Sequence, residues 1–563
     1  MCAGDKPFEP DPGGPLPIPS VATASELLAF YFDVCIATYR FLHRPTVAAW
    51  LDRLQSNKAQ GLPLAHGLGE MKAAVVLTIL AIGIFHRAMS RGRQDPVHEE
   101  FLSLNHSDRL FSEAARLVDT AKGFPNLVSV QARLIQVLYL LHSSRMNQAW
   151  YAFGNVFQTI AVLGLHRRTN RARTLASKAA TRDYIQSQCQ KRTFWSTYIL
   201  DIYLGVIFGR PRHYHDEDID QDLPDAVNDE DMTAQGPAAR KGHKDCAIEV
   251  LICHAKIARI VANISRRIYR DGKARMESLA QRAGDLVGDL ARWKSELPPF
   301  LGSVNPTSLV PPYRRQATSM KLAYCHAMMH ANRPFLLRRM EADRGHSDLV
   351  QRRIVDCMAA AREVLEMVDD MASDGTLFHA FWWTHYVAFC SLAIVYVWQI
   401  QRNGAGNDNN NETTGGTALA PDLDGLFDLA ERCQHHLAEA TASNSPSRRY
   451  SIILEELRQE AMSYTARGPR QVYAEQTDVK GRDVESGGPH EEGSRLDHHH
   501  HDSAPFSMEA SQVNGGYLPA HVWDNWQTTD WLDMDSLALG TFSGFELSPQ
   551  SWFPEQPSNG LFF

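Results

Sequence analysis

QARLIQVLYLLHSSRMNQAW, Gln131 to Trp150, runs directly into YAFGNVFQTIAVLGLHRR, Tyr151 to Arg168, and this pair of segments decides the fold class. Leu134, Leu138 and Leu141 recur at helical spacing, as do Trp150, Phe153, Phe157 and Ile160, so each segment reads as a helix with one apolar face. Gly164 stands where the second pattern stops, with His166, Arg167 and Arg168 behind it. A glycine cap followed by cations at the negative pole of the dipole predicts a helix end there. Downstream, KRTFWSTYILDIYLGVIFGRPRHYHDEDIDQDLP, Lys191 to Pro224, predicts a third helix with a wide stripe of Phe194, Trp195, Tyr198, Ile199, Ile202 and Tyr203. Gly209 and Pro211 break it, and Asp216, Glu217, Asp218, Asp220 and Asp222 crowd the loop that ends at Pro224.

Outward from this region, helical patterns continue from Thr23 to Gln401 with short breaks. ELPPFL (Glu296 to Leu301) and LVPPY (Leu309 to Tyr313) bound one connection inside them. Two further helices are predicted at Leu423 to Thr441 and Arg449 to Ala466. The expected fold is therefore all-α, a large multi-helix array over residues 21–467 without a fixed-length repeat. The proline- and glycine-rich residues 1–20 predict a disordered N-terminus. The polar tract NGAGNDNNNETTGGTA predicts a disordered loop at 403–418, and residues 468–563, which lack periodicity, a disordered tail. An apolar fraction of 44% supports a substantial core. The longest apolar run, AAVVLTILAIGIF (Ala73 to Phe85), is thirteen residues, too short to span a bilayer and suited to a buried helix, so no membrane partner is expected.

Charge separates the chain into two parts. Residues 471–563 hold 15 acidic and 3 basic residues, net −12, against −8 for the whole chain, so residues 1–470 carry 54 basic and 50 acidic residues, net +4. A near-neutral array gives no support to broad phosphate-backbone binding. Arg167 to Arg173, the arginines before Tyr450, and the Arg-Gly-Arg of Ser90 to Pro96 read as solvated helix ends and loops rather than nucleic-acid hooks. Nine scattered cysteines and no secretory signal point to a reducing intracellular compartment. No two cysteines are separated by two residues. The nearest pair, Cys246 and Cys253, falls in the apparent helix CAIEVLICHAKIARIV and reads as core.

Enzyme chemistry finds little to work with. DDMASD, Asp369 to Asp374, resembles a carboxylate cluster that holds magnesium against a diphosphate in all-α isoprenoid cyclases. The second ligand set such an enzyme needs is spoiled by Ser451 and Pro446, so Asp369, Asp370 and Asp374 read as a helix end and solvated turn before Gly375. The four histidines His498 to His501 lie in a polar acidic tract with nothing to orient them. The loop Asp216 to Asp222 lacks the glycine and distal glutamate of an EF-hand. Catalytic residues, metal ligands and a resident cofactor are not expected.

Taken in order, FYFDVCIATYRFLHRPT (Phe30 to Thr46), SSRMNQAWYAFGNVFQTIAVLGLHRR (Ser143 to Arg168) and Lys191 to Pro224 resemble the middle homology region of fungal transcription factors. That is the regulatory domain usually found downstream of a two-zinc, six-cysteine DNA-binding cluster. The likeness covers about residues 25–400. It singles out His43, Arg44 and Pro45; Trp150, Gly164, Leu165, His166 and Arg167; Trp195 and Asp201; Gly209, Arg210 and Pro211; and Asp218 and Asp220. It implies an all-α regulatory array, a nuclear location, control of a metabolic or secondary-metabolite pathway, and contacts with DNA, coactivators or transcription machinery, a small-molecule effector and a second copy of the chain. The cysteine spacing supplies no zinc cluster, so zinc is expected only from residues upstream of Met1, and DNA contact from there or from a partner. Arg210 is expected to pair with a carboxylate of the acidic loop and fix the turn. The alternatives are a helical effector-binding or scaffold module without DNA contact and, more remotely, an isoprenoid-type enzyme.

One tail segment adds to this. In HVWDNWQTTDWLDMDSLALG, residues 521–540, Trp523, Trp526, Trp531, Met534 and Leu537 fall within about 140° on a helical wheel, and Leu532 joins them as a candidate activation residue. Asp524 and Asp535 flank one side of that stripe and Asp533 the other, whereas Asp530 falls inside it. The pattern suits an activation segment that folds into a coactivator groove.

Overall fold

The structure, a computed structural model, describes residues 15–90, 96–168, 183–238, 245–270, 274–336, 348–375, 377, 382–405, 424–440 and 448–466. Among them the chain forms α-helices joined by short turns, and the one β-bridge, Met232 with Pro237, stands alone. The first half holds α1 (Val21–Phe30), α2 (Arg44–Ala59), α3 (Glu70–Ser90), α4 (Pro96–Thr120), α5 (Leu127–His142), α6 (Met146–Leu163) and α7 (Tyr184–Phe208). The second holds α8 (Glu249–Ile264), α9 (Met276–Ser295), the single turn α10 (Pro299–Gly302), α11 (Pro311–Asn332), α12 (Asp348–Ser373), α13 (Trp382–Ala405), α14 (Asp424–Ala440) and α15 (Arg448–Ala466). Helix α3 packs on α4 and α5, α5 on α6, α7 on α8, α8 on α11, α11 on α12, and α12 and α13 on each other and on α14. One continuous apolar core runs through the array.

Local chemistry sets the helix ends. Ser20 caps α1 by accepting the Thr23 amide, and Asn126 and Ser129 cap α5 reciprocally. Asp183 caps α7, and Pro45 and Pro311 occupy first-turn positions where their missing N–H is no loss. Gly164 and Gly209 close α6 and α7 in the left-handed conformation, φ 64° and 59°.

Several expectations change. The first helix of the opening stretch ends at His142 rather than Trp150, because Ser144 adopts φ 60° and Trp150 already belongs to α6. The turn lets Arg145 face inward. Its fully buried guanidinium donates to both oxygens of Asp108 at 2.9 and 2.6 Å, and the Tyr139 hydroxyl donates to the same carboxylate. Apolar spacing could not mark the break, since α5 is buried on nearly every side. Cys246 precedes α8 and shares no helical face with Cys253; all eight described cysteines are free and buried. Residues 15–20, assigned to a disordered N-terminus, lie along the core: Leu16 and Ile18 pack against it, and Arg109, His106 and Lys58 donate to the carbonyls of Pro15, Pro17 and Ile18. The expected loop 403–418 begins inside α13, which reaches Ala405; the rest of it lies outside the described residues. So does the whole of 468–563, with Trp523, Trp526, Trp531, Leu532, Met534 and Leu537.

The thirteen-residue apolar run sits inside the longer α3. Glu70–Ala88 and Trp382–Gln401 are each long and apolar enough to cross a membrane, yet 72% and 83% of their apolar windows are buried inside the protein, as core helices are. Asp369, Asp370 and Asp374 close α12, with Gly375 at φ 63° after them. Asp369 receives Arg432 and His436 of α14 at 3.3 and 3.1 Å, a helix-to-helix tie. Among the described residues no group of three His, Cys, Asp or Glu is placed to hold a metal ion.

Candidate functional site

The motif residues collect around α7, whose length from Arg192 to Phe208 is buried throughout. Beyond Gly209 the chain reverses and lies back along the helix. Gly205 permits that approach, since a Cβ there would meet Arg212 Cγ at 3.0 Å and the Arg210 carbonyl at 3.4 Å. The fully buried Asp201 carboxylate holds the returning strand by accepting the backbone N–H groups of His213 and Tyr214, each at 3.0 Å, with the His213 Nδ1 at 2.8 Å. The His213 ring then rests among Trp150, Phe153 and Phe157 of α6, at centroid distances of 5.5, 5.8 and 4.8 Å. Arg210 does not pair with the acidic loop. Its guanidinium lies over the rings of Trp150 and Phe208 at 5.1 and 4.8 Å and reaches Asn147 at 3.5 Å. Asp201 does the work expected of Arg210, because backbone donors in the reversed strand need an acceptor, and a cation cannot supply one.

A second junction joins the end of α6 to the acidic loop. The His166 carbonyl accepts the Asp220 and Gln221 amides, while the Gln221 side chain donates to the Leu165 and Arg167 carbonyls at 2.9 and 3.1 Å. Asp220 accepts the Arg168 amide, and Arg168 pairs with Asp222. From α7, Trp195 Nε1 donates to the Asp222 carbonyl at 2.8 Å and the Tyr198 hydroxyl to Asp216 at 2.6 Å. Burial and then the Asp216 carboxylate raise the Tyr198 phenol well above its ordinary value, so it stays a donor. Asp218 contributes through its backbone amide, which bonds to the His215 carbonyl. The loop is spent on fastening helices.

The third junction is built on Asp229, which opens a short 3-10 turn, Asp229–Asp231, five residues beyond Pro224. His43 precedes α2 and offers no side-chain cap. Instead the Asp229 carboxylate accepts the Arg44 amide at 2.8 Å, capping α2 from far along the chain, and pairs with the fully buried Arg192 at 2.5 Å. His43 bridges Thr46 and the Asp229 carbonyl, and Arg44 pairs with Asp33. Beside this knot a cleft of about 250 Å³ opens between Phe32, Leu42, Ile248, Pro312, Tyr313 and Gln316. Its charged lining is Asp33, Arg40, Arg44, Asp229 and Glu230.

With this geometry in place, the comparisons with known proteins are direct. The model of the fungal specific transcription factor domain matches residues 28–297, a span that includes all three junctions and most of the cleft. Residues 28–297 are thus similar to a fungal specific transcription factor domain. Activator of stress genes 1 of Saccharomyces cerevisiae is 26% identical over 399 residues, 68% of this chain and 39% of that protein. Activator of stress genes protein 1 of Candida albicans is 25% identical over 430 residues, 70% of this chain and 41% of that protein. The chain thus spans about two fifths of the length of these two relatives.

The motif residues named from the sequence lie at these junctions, whereas the groups that join them were missed. Asp229 and Arg40 lie outside the helical periodicity, and Arg192 and Gln316 are polar positions on buried helices. The signal that was present is Arg192 itself, a cation inside an otherwise apolar helix, which announces a buried carboxylate partner.

Proposed function

We propose that this chain is a fungal transcription regulator that acts in the nucleus, has no catalytic activity, and controls a metabolic or secondary-metabolite pathway. The observation that carries this reading is the match of residues 28–297 to the fungal specific transcription factor domain, whose motif residues fasten α2, α6 and α7 together instead of presenting reactive groups. In this reading residues 21–467 are the regulatory array and 468–563 the effector tail, with 521–540 as its activation segment. Contact with DNA comes from a partner or from residues preceding Met1, since the sequence holds no Cys-x-x-Cys pair.

A second reading, a helical effector-binding or co-regulator module without DNA contact, is favoured by the near-neutral balance of residues 1–470. Fusion of the full chain to a foreign DNA-binding domain tests the first reading. Reporter output is expected to differ severalfold from that of the DNA-binding domain alone, and replacing Trp523, Trp526 and Trp531 together by alanine is expected to return it to that baseline. A fusion indistinguishable from the bare DNA-binding domain would leave the module reading in place.

A further inference from the structure

The cleft beside the α2 cap holds an unbalanced set of polar groups. Three of its ions are consumed internally, Arg44 and Asp33 by each other and Asp229 by Arg192 and the α2 amide. Arg40 is not. It donates Nη2 to the Phe32 carbonyl at 2.9 Å and Nε to the Ala37 carbonyl at 3.4 Å, and among the described residues no carboxylate lies within ion-pair distance of it. Burial draws its pKa below the ordinary guanidinium value, the mark of a cation short of compensation, although Asp229 and Asp33 act on it from farther off. At the same cleft Glu230 is exposed and makes no ion pair. Gln316, fully buried, gives its Nε2 to the Ala247 carbonyl and leaves its Oε1 with no partner. Asn228 also lines the cleft and is satisfied by the Asp245 carbonyl and the Ala247 amide, and the remaining wall is apolar or aromatic: Phe32, Leu42, Ala247, Ile248, Pro312 and Tyr313.

We infer that this cleft is an effector site for a small zwitterion, an α-amino acid with a neutral, apolar side chain. The carboxylate supplies the anion that Arg40 lacks, with a planar guanidinium suited to it. The ammonium offers three donors, and Glu230 and the Gln316 oxygen are the two unused acceptors. Leu42, Ile248 and Pro312 receive the side chain. The lining counts three carboxylates against two guanidinium groups, so a dianion would meet net repulsion while a zwitterion meets both signs. Size restricts the ligand as well. Clefts for drug-sized ligands run to about 300–1,000 Å³, and this one, at about 250 Å³, excludes a peptide.

This inference rests on the regulator reading for its purpose but not for its test. The purified full chain is titrated calorimetrically with leucine, with the desamino acid of leucine and with its decarboxylated amine. Leucine is expected to bind, and each analogue lacking one charge to bind at least about tenfold more weakly, as loss of a hydrogen bond to a charged group implies. Glu230→Gln is expected to weaken leucine by about tenfold and to leave the desamino acid unchanged. Arg40→Gln is expected to abolish binding of both while the amine is unaffected. Glu230 is exposed, so its variant folds even if Arg40→Gln does not. Absence of heat and of any thermal shift with millimolar leucine, or a desamino acid that binds as tightly as leucine, would overturn the assignment. Failed titration with an active reporter fusion would leave the regulator intact. Successful titration with a silent fusion would keep the site and favour the module without DNA contact.

Discussion

Lowering the pH from about 7 to about 5.5 is expected to strip about 6 kcal/mol from the folded state, enough to unfold much of the array. Of the seven histidines buried among the described residues, five have their pKa lowered: His86, His142, His254, His326 and His330. Burial, with Arg315 nearby, lowers His142 to about 3; burial lowers His254 to about 3; and burial, with Arg333 and His254, lowers His326 to about 3. His86 and His330 are pushed well below the ordinary value by burial and then by His142 and Arg333 respectively. The geometry agrees. His86 and His142 share one hydrogen bond at 3.0 Å, which requires a neutral acceptor ring, and His254 is held between Thr38 and Tyr203. His326 has no hydrogen-bond partner for either nitrogen, with Trp383 4.9 Å from its ring.

All five rings are therefore neutral when folded, while the unfolded chain binds protons near pH 6.5. Below that value the unfolded state holds more protons, so stability is complete above about 6.5 and falls by about 1.4 kcal/mol per ring for each pH unit below it. For the rings lowered to about 3, the loss continues until that value is reached. Denaturant midpoints measured at both pH values by tryptophan fluorescence check this, and equal midpoints would refute it. His326→Leu should flatten the slope by one ring's share, because no hydrogen bond is lost with it.

Replacing Asp229 by alanine should be the most damaging single change among the motif junctions, at about 3–5 kcal/mol. The substitution leaves the fully buried Arg192 without its carboxylate and uncaps α2 in the same step. Asp222→Ala supplies the contrast. Its partner Arg168 is more than half exposed, and exposed pairs contribute about 0–1 kcal/mol. The difference between the two denaturation midpoints reads the claim that burial, not charge count, decides which acidic residues hold this domain together. Similar midpoints for the two variants would contradict it.

Both predictions concern residues that helical periodicity does not reveal, and the reason is physical. Periodicity reports which faces are apolar, so the ends of α6 and α7 and the positions of α14 and α15 were legible to within a residue or two. It loses its meaning where a helix is buried all round, which is why the α5 to α6 turn at Ser143 to Arg145 stayed hidden. Buried polar ties are less legible still. Asp229 and Arg44 are 185 residues apart, and nothing local to either announces the other. Arg210 shows the opposite error: a cation beside an acidic loop invites an ion pair, yet aromatic faces of α6 and α7 lie closer and take it. The motif order drew attention to the segments around α6 and α7, and long-range ties through Asp229, Asp201 and Gln221 join them in the fold.

The central claim is that this helical domain acts on genes. Its most direct measurement is chromatin immunoprecipitation of the tagged full chain in a fungal host, which captures promoters reached either directly or through a partner. The account predicts discrete enrichment at a limited set of promoters, with altered transcription of those genes when the chain is removed. Occupancy no different from an untagged control, with an unchanged transcriptome, would contradict it.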